Sequence, residues 1–400
     1  MRKQQNGSIL VLAAGILIVL TGFAVLAIDV GRIYLVRNEL QNAADSAALA
    51  GANCLDRQSQ GGSTTECTIT YATTLNWTRA NAKAVSQLSQ NSASNIAIST
   101  IDSGHQVNVG YWNVNGGTTL QPTSLSPLGP CTVAGGVMTT ACDKPAVSVS
   151  ITKDAGKNNG PIAMLTAAMF GGANVPMTAK AVAVISSPGI VLPGNLIPIA
   201  INKCMFDKYW DVATNSPKLA NSATLTYTDS SNPNNPVSYS ITQVIGQPWK
   251  FRIGSSLHYG LCDSGQWTSF NENAGNSSNE NIVTLINTGN TNPLGVGDNT
   301  HLNPGTRATD YTALDDRYPT TSTQLGADVS IVVVNADPLS KNIDTPVVAF
   351  GGFHIDDIKG ATGPNPKFYI EGHLISNSTT SGSSGIGPFY GTYTPPRLAQ

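Results

Sequence analysis

"ILVLAAGILIVLTGFAVLAIDVGRIYLVRNELQNAADSAALAGA", Ile9–Ala52, holds two helical patterns in one unbroken run. Ile9–Ile28 carries no charged side chain, and its length matches the roughly 20 residues that cross a bilayer as a helix. Ile9, Leu10, Leu12, Ile16, Leu20, Phe23 and Ile28 are the bulky side chains expected to face lipid. Arg2 and Lys3 precede the run, so the positive-inside rule puts the amino terminus in the cytoplasm and everything after Asp29 on the far side. A cleavable signal peptide is the rival reading, with Val25-Leu26-Ala27 as a small-residue cleavage site. The apolar run is longer than the usual h-region of about 7–15 residues. Leu26, Ala27 and Ile28 also carry the helix onward without a turn former, so an uncleaved anchor is expected.

Beyond Asp29 the apolar spacing changes character. Ile33, Val36, Leu40, Ala43, Ala47 and Ala50 step by three and four, a seam of about two and a half heptads. Its small alanines let another surface approach closely. That surface is either the protein's own sheet or a second helix, including one from another copy. Gly51 lies where such a helix can stop.

The residues from Gly7 to Ala52 resemble the amino-terminal segment of TadG-like (TadE/TadG-like) proteins of the Tad (Flp) pilus-assembly system. The resemblance rests on the apolar span, Asp29-x-Gly31, and the run Leu40-Gln41-x-Ala43-Ala44-Asp45-x-Ala47-Ala48-Leu49-Ala50. It implies a single-pass protein of the bacterial inner membrane with its bulk in the periplasm, working with other Tad assembly proteins or pilins. Prepilins of this class carry a glutamate five residues after the cleavage-site glycine; after Gly7 that place is Leu12. An uncleaved assembly component is therefore expected, with a pilin-like filament subunit, a minor pilin or adhesin, as the alternative.

Composition agrees with an exported body. Only 12% of the 400 residues are charged and the net charge is −2. Phosphate binding needs a concentrated positive face, so nucleic acid is not an expected partner. Six cysteines, Cys54, Cys67, Cys131, Cys142, Cys204 and Cys262, contain no C-x-x-C. They suggest disulfides formed outside the cytoplasm, 15 connectivities being open to six cysteines. Their spacing suggests sequential pairing, Cys54–Cys67, Cys131–Cys142 and Cys204–Cys262.

Further along, a helix is expected over Tyr71–Leu88, strands over Gln106–Val114 and Ala146–Thr152, a helix opened by Pro161 and closed by Gly171, and a strand over Val175–Ser186. The resemblance extends over these elements to about Ser186. "SSPGIVLPGN" reads as a boundary. Beyond it, short apolar runs such as "LIPIAIN", "ENIVTLINTG", "VSIVVVNA", "TPVVAFGGFHI" and "PKFYIEGHLI" suggest a mainly β region. The expected class is α+β. The anchor would occupy residues 1–28, a pilin-like α+β domain 29–186, a mainly β, sandwich-like domain 187–375 and a flexible tail 376–400.

A search for chemistry returns little. No H-E-x-x-H, P-loop or G-x-S-x-G is present. "LCDSGQW" contains Asp263-Ser264-Gly265 but lacks a histidine partner segment, which a serine nucleophile needs. The Asp-x-Ser-x-Ser metal motif that some TadG-like proteins carry is missing, so adhesion through it is not implied. His354, Asp356, Glu371 and His373 would share a strand face if their segments paired as a hairpin. A secreted metal-dependent hydrolase built on them is the distant alternative. The favoured reading has no catalytic residue, no metal and no cofactor.

Overall fold

The computed structural model describes residues 6–400 except 56–66, 68–74, 125–132, 135–136, 139–142, 172–173, 212–215, 230–236, 255–261, 263–264, 272–278, 304–307, 322–323, 337–342, 360–367, 377 and 385–388. Its architecture is α+β. Helix α1 (Asn6–Ala52) runs for 47 residues without a break, a rod of about 70 Å at 1.5 Å per residue. No proline interrupts it.

The carboxy-terminal half of α1 lies on an antiparallel sheet of β1 (His105–Asn113), β2 (Asp143–Lys153) and β3 (Met177–Val184). Alternation along the strands decides which side chains meet the helix. Val147, Val149 and Ile151 of β2 stand opposite Ala183, Ala181 and Ala179 of β3. All six pack with Val36, Leu40, Ala43, Ala44, Ala47 and Ala48 of α1. Ala146, Val182 and Val184 point the other way and cluster with Trp112. Helix α2 (Trp77–Leu88) completes the layer, burying Ala80, Ala84 and Leu88 at helical spacing. It begins at Trp77 because the Asn76 side chain accepts the Arg79 amide. The expected start over Tyr71–Thr74 lies outside the described residues.

Helix α3 is shorter than the sequence suggests. Pro161 does not open it; Ile162 forms a bridge with Val175, and the helix spans Leu165–Phe170. Gly171, with φ 71°, closes it in the left-handed region as expected.

The second body of strands begins with β4 (Ile199–Asn202) and α4 (Lys203–Tyr209). It continues with β5 (Lys250–Ile253), β6 (Gly265–Thr268), α5 (Asn279–Thr288) and β7 (Asn299–Asn303). Helix α6 (Ala308–Arg317) and strands β8 (Ala327–Val334), β9 (Ile343–Lys359) and β10 (Tyr369–Leu374) complete it. The seven strands form one sheet in the order β5-β10-β9-β7-β6-β4-β8, and β8 also pairs with β9, so the pairings return on themselves. Apolar clusters cover both faces. Ile199, Ile201, Ile331, Val333 and Phe353 belong to one, and Ala200, Val332, Val334 and Phe350 to the other. The segment "ENIVTLINTG", expected as a strand, is mainly the helix α5. Ile282, Leu285 and Ile286, at helical rather than alternating spacing, are its buried contacts.

The described residues of 376–400, a stretch expected as a flexible tail, are built into both bodies. Ser378, Thr380, Thr392 and Thr394 are buried, and Tyr390 and Tyr393 enter the two main cores. Arg397–Leu398 then pairs with Val184 and Ala183 of β3, adding a fourth strand to the first sheet. Backbone pairing and aromatic burial outweigh the Ser/Thr/Gly composition on which the expectation rested.

Candidate functional site

The two regimes of α1 meet at Asp29. The bulky residues Ile9, Leu10, Leu12, Ile16, Leu20, Phe23 and Ile28 are all exposed, whereas Asp29, the next residue, is fully buried. Its carboxylate covers the start of α3. Oδ1 accepts the Leu165 amide at 2.8 Å, and Oδ2 accepts the Thr166 amide at 2.8 Å and the Thr166 hydroxyl at 2.7 Å. These amides are among those a helix start leaves without an intrahelical partner, and a carboxylate is well suited to take them. Met164, in the N-cap position, supplies no side-chain cap, so Asp29 does this from another helix. Burial works to raise its pKa. The Thr166 amide and hydroxyl, the Leu165 amide and the Arg32 charge outweigh burial and hold the carboxyl below the ordinary value.

Past Asp29 the seam turns inward. Val36, Leu40, Ala43 and Ala47 are at most 2% exposed, while Ile33 and Ala50 at its ends are half-buried. Burying a leucine such as Leu40 is worth about 1.5–3 kcal/mol, and the alanines gain chiefly by close approach. Ala44 is fully buried and Leu49 packs partly against the same core. Gln41 Nε2 donates to Asp45 Oδ1 at 2.7 Å and to the Lys180 carbonyl of β3 at 3.1 Å, fastening the helix to the sheet. A Cβ on Gly51 would sit 2.8 Å from the Ala80 carbonyl and 2.9 Å from Ala84 Cβ, so the close crossing of α1 and α2 requires glycine there. Around Gly31 a Cβ would meet open space, and no contact accounts for that residue.

Among the cysteines, Cys54 pairs with Cys67 just beyond α1, with Cα atoms 5.3 Å apart, and Cys204 pairs with Cys262 at 5.2 Å. Cys131 and Cys142 lie outside the described residues.

Strands β9 and β10 do pair, with His354 opposite His373 and ring centroids 4.9 Å apart. A bulge between Ile355 and Asp357 shifts the register, so Glu371 stands opposite Asp357. Asp356 and His373 still meet, while His354 and Glu371 find partners on other strands. His354 Nδ1 meets Asp328 Oδ1 at 2.5 Å, and His373 Nδ1 meets Asp356 Oδ2 at 2.8 Å. Lys250 Nζ lies 3.1 Å from Asp356 Oδ1, and Arg252 Nε 3.0 Å from Glu371 Oε2. Burial works to raise the pKa of Asp356, but His373 and Lys250 hold it below the usual value. Among the described residues no three His, Cys, Asp or Glu side chains come together in a way that could hold a metal ion.

The remote capping by Asp29 was not foreseen. Its only sequence trace is an acid placed directly after an apolar span, and the partner lies 136 residues away.

Residues 7–53 match the Tad family model, Flp pilus-assembly TadE/G-like, and residues 50–183 match the Tad_C model, Tad-like Flp pilus-assembly. No curated protein and no solved structure matches. Helix α1 contains a stretch long and apolar enough to cross a membrane, 6% of it buried within the chain. The seam, α2, β1, β2 and α3 all fall within the matched residues, and so does nearly all of β3. The resemblance read from the sequence thus holds over residues 7–183, the stretch that matches the TadE/G-like and Tad-like models of Flp pilus assembly.

Proposed function

We propose that this is a non-enzymatic envelope protein, anchored once in the inner membrane by Ile9–Ile28, that positions or braces other components during Tad pilus assembly. One observation carries the reading. A single helix is bare over its bulky apolar half and packed against its own sheet over its alanine half, with Asp29 fastening the body to the rod at the transition. A body held this way follows the orientation of its anchor, as positioning requires. The seam is taken up within the chain, so self-association between copies falls to the bare half, and partner contacts to the surfaces of the periplasmic body.

A filament subunit is the second reading, favoured by the same half-bare helix, whose exposed apolar half would serve equally for packing beside like rods. The test is intact-mass and amino-terminal analysis of the protein from membranes and from sheared surface filaments. The full-length chain in membranes alone is the expected result. A chain starting at Ser8 in filaments would assign it to the filament instead, and a soluble chain starting near Ile28 would overturn anchoring.

A further inference from the structure

We infer that a groove between α1 and the start of β3 is a binding site for a phospholipid of the leaflet facing the body. The inference rests on the anchored reading above. Val30, Ile33, Tyr34, Arg37, Pro176 and Met177 line this groove, whose volume is about 400 Å³.

Depth is the first argument. With Ile28 ending the apolar span, a rise of 1.5 Å per residue puts Val30 about 3 Å and Arg37 about 14 Å beyond the hydrocarbon edge. The headgroup layer on each side of a bilayer is about 5–8 Å thick, so the groove starts within that layer and rises just above it.

The second wall is held at the same depth. Asp29 hydrogen-bonds the first amides of α3, so Leu165 and Thr166 lie level with the end of the span. The bridge of Ile162 to Val175 ties the start of this segment to the residue just before Pro176 and Met177. Ile162, Leu165, Thr166 and Val175 are thereby held beside the bilayer surface, with Leu165 39% exposed.

Chemistry and exposure agree with a lipid occupant. Val30, Ile33, Pro176 and Met177 give an apolar floor suited to the glycerol backbone. Tyr34 and Arg37 are rooted about 9 and 14 Å beyond the hydrocarbon edge, above the headgroup layer. Helical side chains lean toward the amino terminus, however, so a phenol and a long guanidinium stem there can reach back to phosphate oxygens, as aromatic and basic residues do at membrane interfaces. Val30, Tyr34 and Leu35 are 42%, 62% and 58% exposed although they follow the span, so the exposed apolar surface continues from the anchor past the groove.

The test uses the full chain in nanodiscs doped with a phospholipid bearing a photoreactive headgroup, followed by peptide mapping. Cross-links to residues 30–37 and 176–178 are expected, in addition to any nearer the span. Arg37→Gln should reduce them at least three-fold, and Ile33→Asp should do so independently. A tail-labelled lipid reports on Ile9–Ile28 in the same discs and should be unaffected by either variant. Tail cross-links without headgroup cross-links at the groove would overturn the site and leave anchoring intact. Loss of both would sink the anchor reading with it. With a photoreactive phenylalanine analogue placed at position 34 and unlabelled lipid, protein-to-protein cross-links in place of lipid adducts would assign the groove to a second copy and overturn the proposal.

Discussion

Residues 9–28 and 36–52 of α1 share a backbone geometry and little else. The first half uses Ile, Leu, Val and Phe and leaves them bare; the second uses mainly Ala and buries it. Side-chain size separates the two. Bulky side chains gain most by leaving water, whatever apolar medium receives them. Alanine gains little from transfer alone, and its presence signals a surface that must come close. Here that surface is Ala179, Ala181 and Ala183, so small residues on the helix meet small residues on the sheet.

The strongest way to break this contrast is to hollow out the packed half. Leu40→Ala should destabilise the amino-terminal body by about 2–5 kcal/mol, read by thermal or denaturant unfolding in detergent. Leu20→Ala, on the bare half, should leave that transition within about 0.5 kcal/mol of the parent.

Charge should act the opposite way round. Leu20→Arg is expected to cost about 2.5–3.5 kcal/mol in membrane insertion, seen as a larger carbonate-extractable fraction, with the soluble body unchanged in its melting. Enlargement gives a third handle: Ala47→Leu should cost about 1–3 kcal/mol by overpacking, while Ala13→Leu in the bare half should be neutral.

The smallest effect concerns the junction itself. Asp29→Ala should remove hydrogen-exchange protection from the Leu165 and Thr166 amides with little change in global unfolding. Because the carboxyl of Asp29 is held below its ordinary value, its contribution is complete above the unfolded value of about 3.9 and is lost as pH falls through the lower folded value. Protection of these amides in the parent should therefore persist at pH 5 and fade only in stronger acid, whereas the variant lacks it throughout.

How far the sequence disclosed this arrangement depends on how local each cause is. The long apolar helix, its Ala-rich continuation, β1, β2 and β3 were legible because period and length are local properties. So was the αL closure at Gly171. Helix α5 was misread because Asn, Val and Thr obscured the spacing of Ile282, Leu285 and Ile286. The late start of α3 was hidden because its cap comes from Asp29 on another helix. The pairing of His354 with His373 was legible, but the bulge that sets Glu371 opposite Asp357 is one that alternation cannot foretell. The strand at Arg397–Leu398 was invisible because its only signal is the partner it finds.

That late strand gives assembly an order in time. Synthesis proceeds from the amino terminus, so α1, α2, β1, β2 and β3 all emerge before the second sheet begins. Throughout that interval the outer edge of β3 has no neighbour, and its Val182 amide awaits the Gln400 carbonyl. An open strand edge is a template for wrong pairing. A ribosome stalled midway would thus leave a first body with a sticky flank, which only residues made after the entire second sheet can cover.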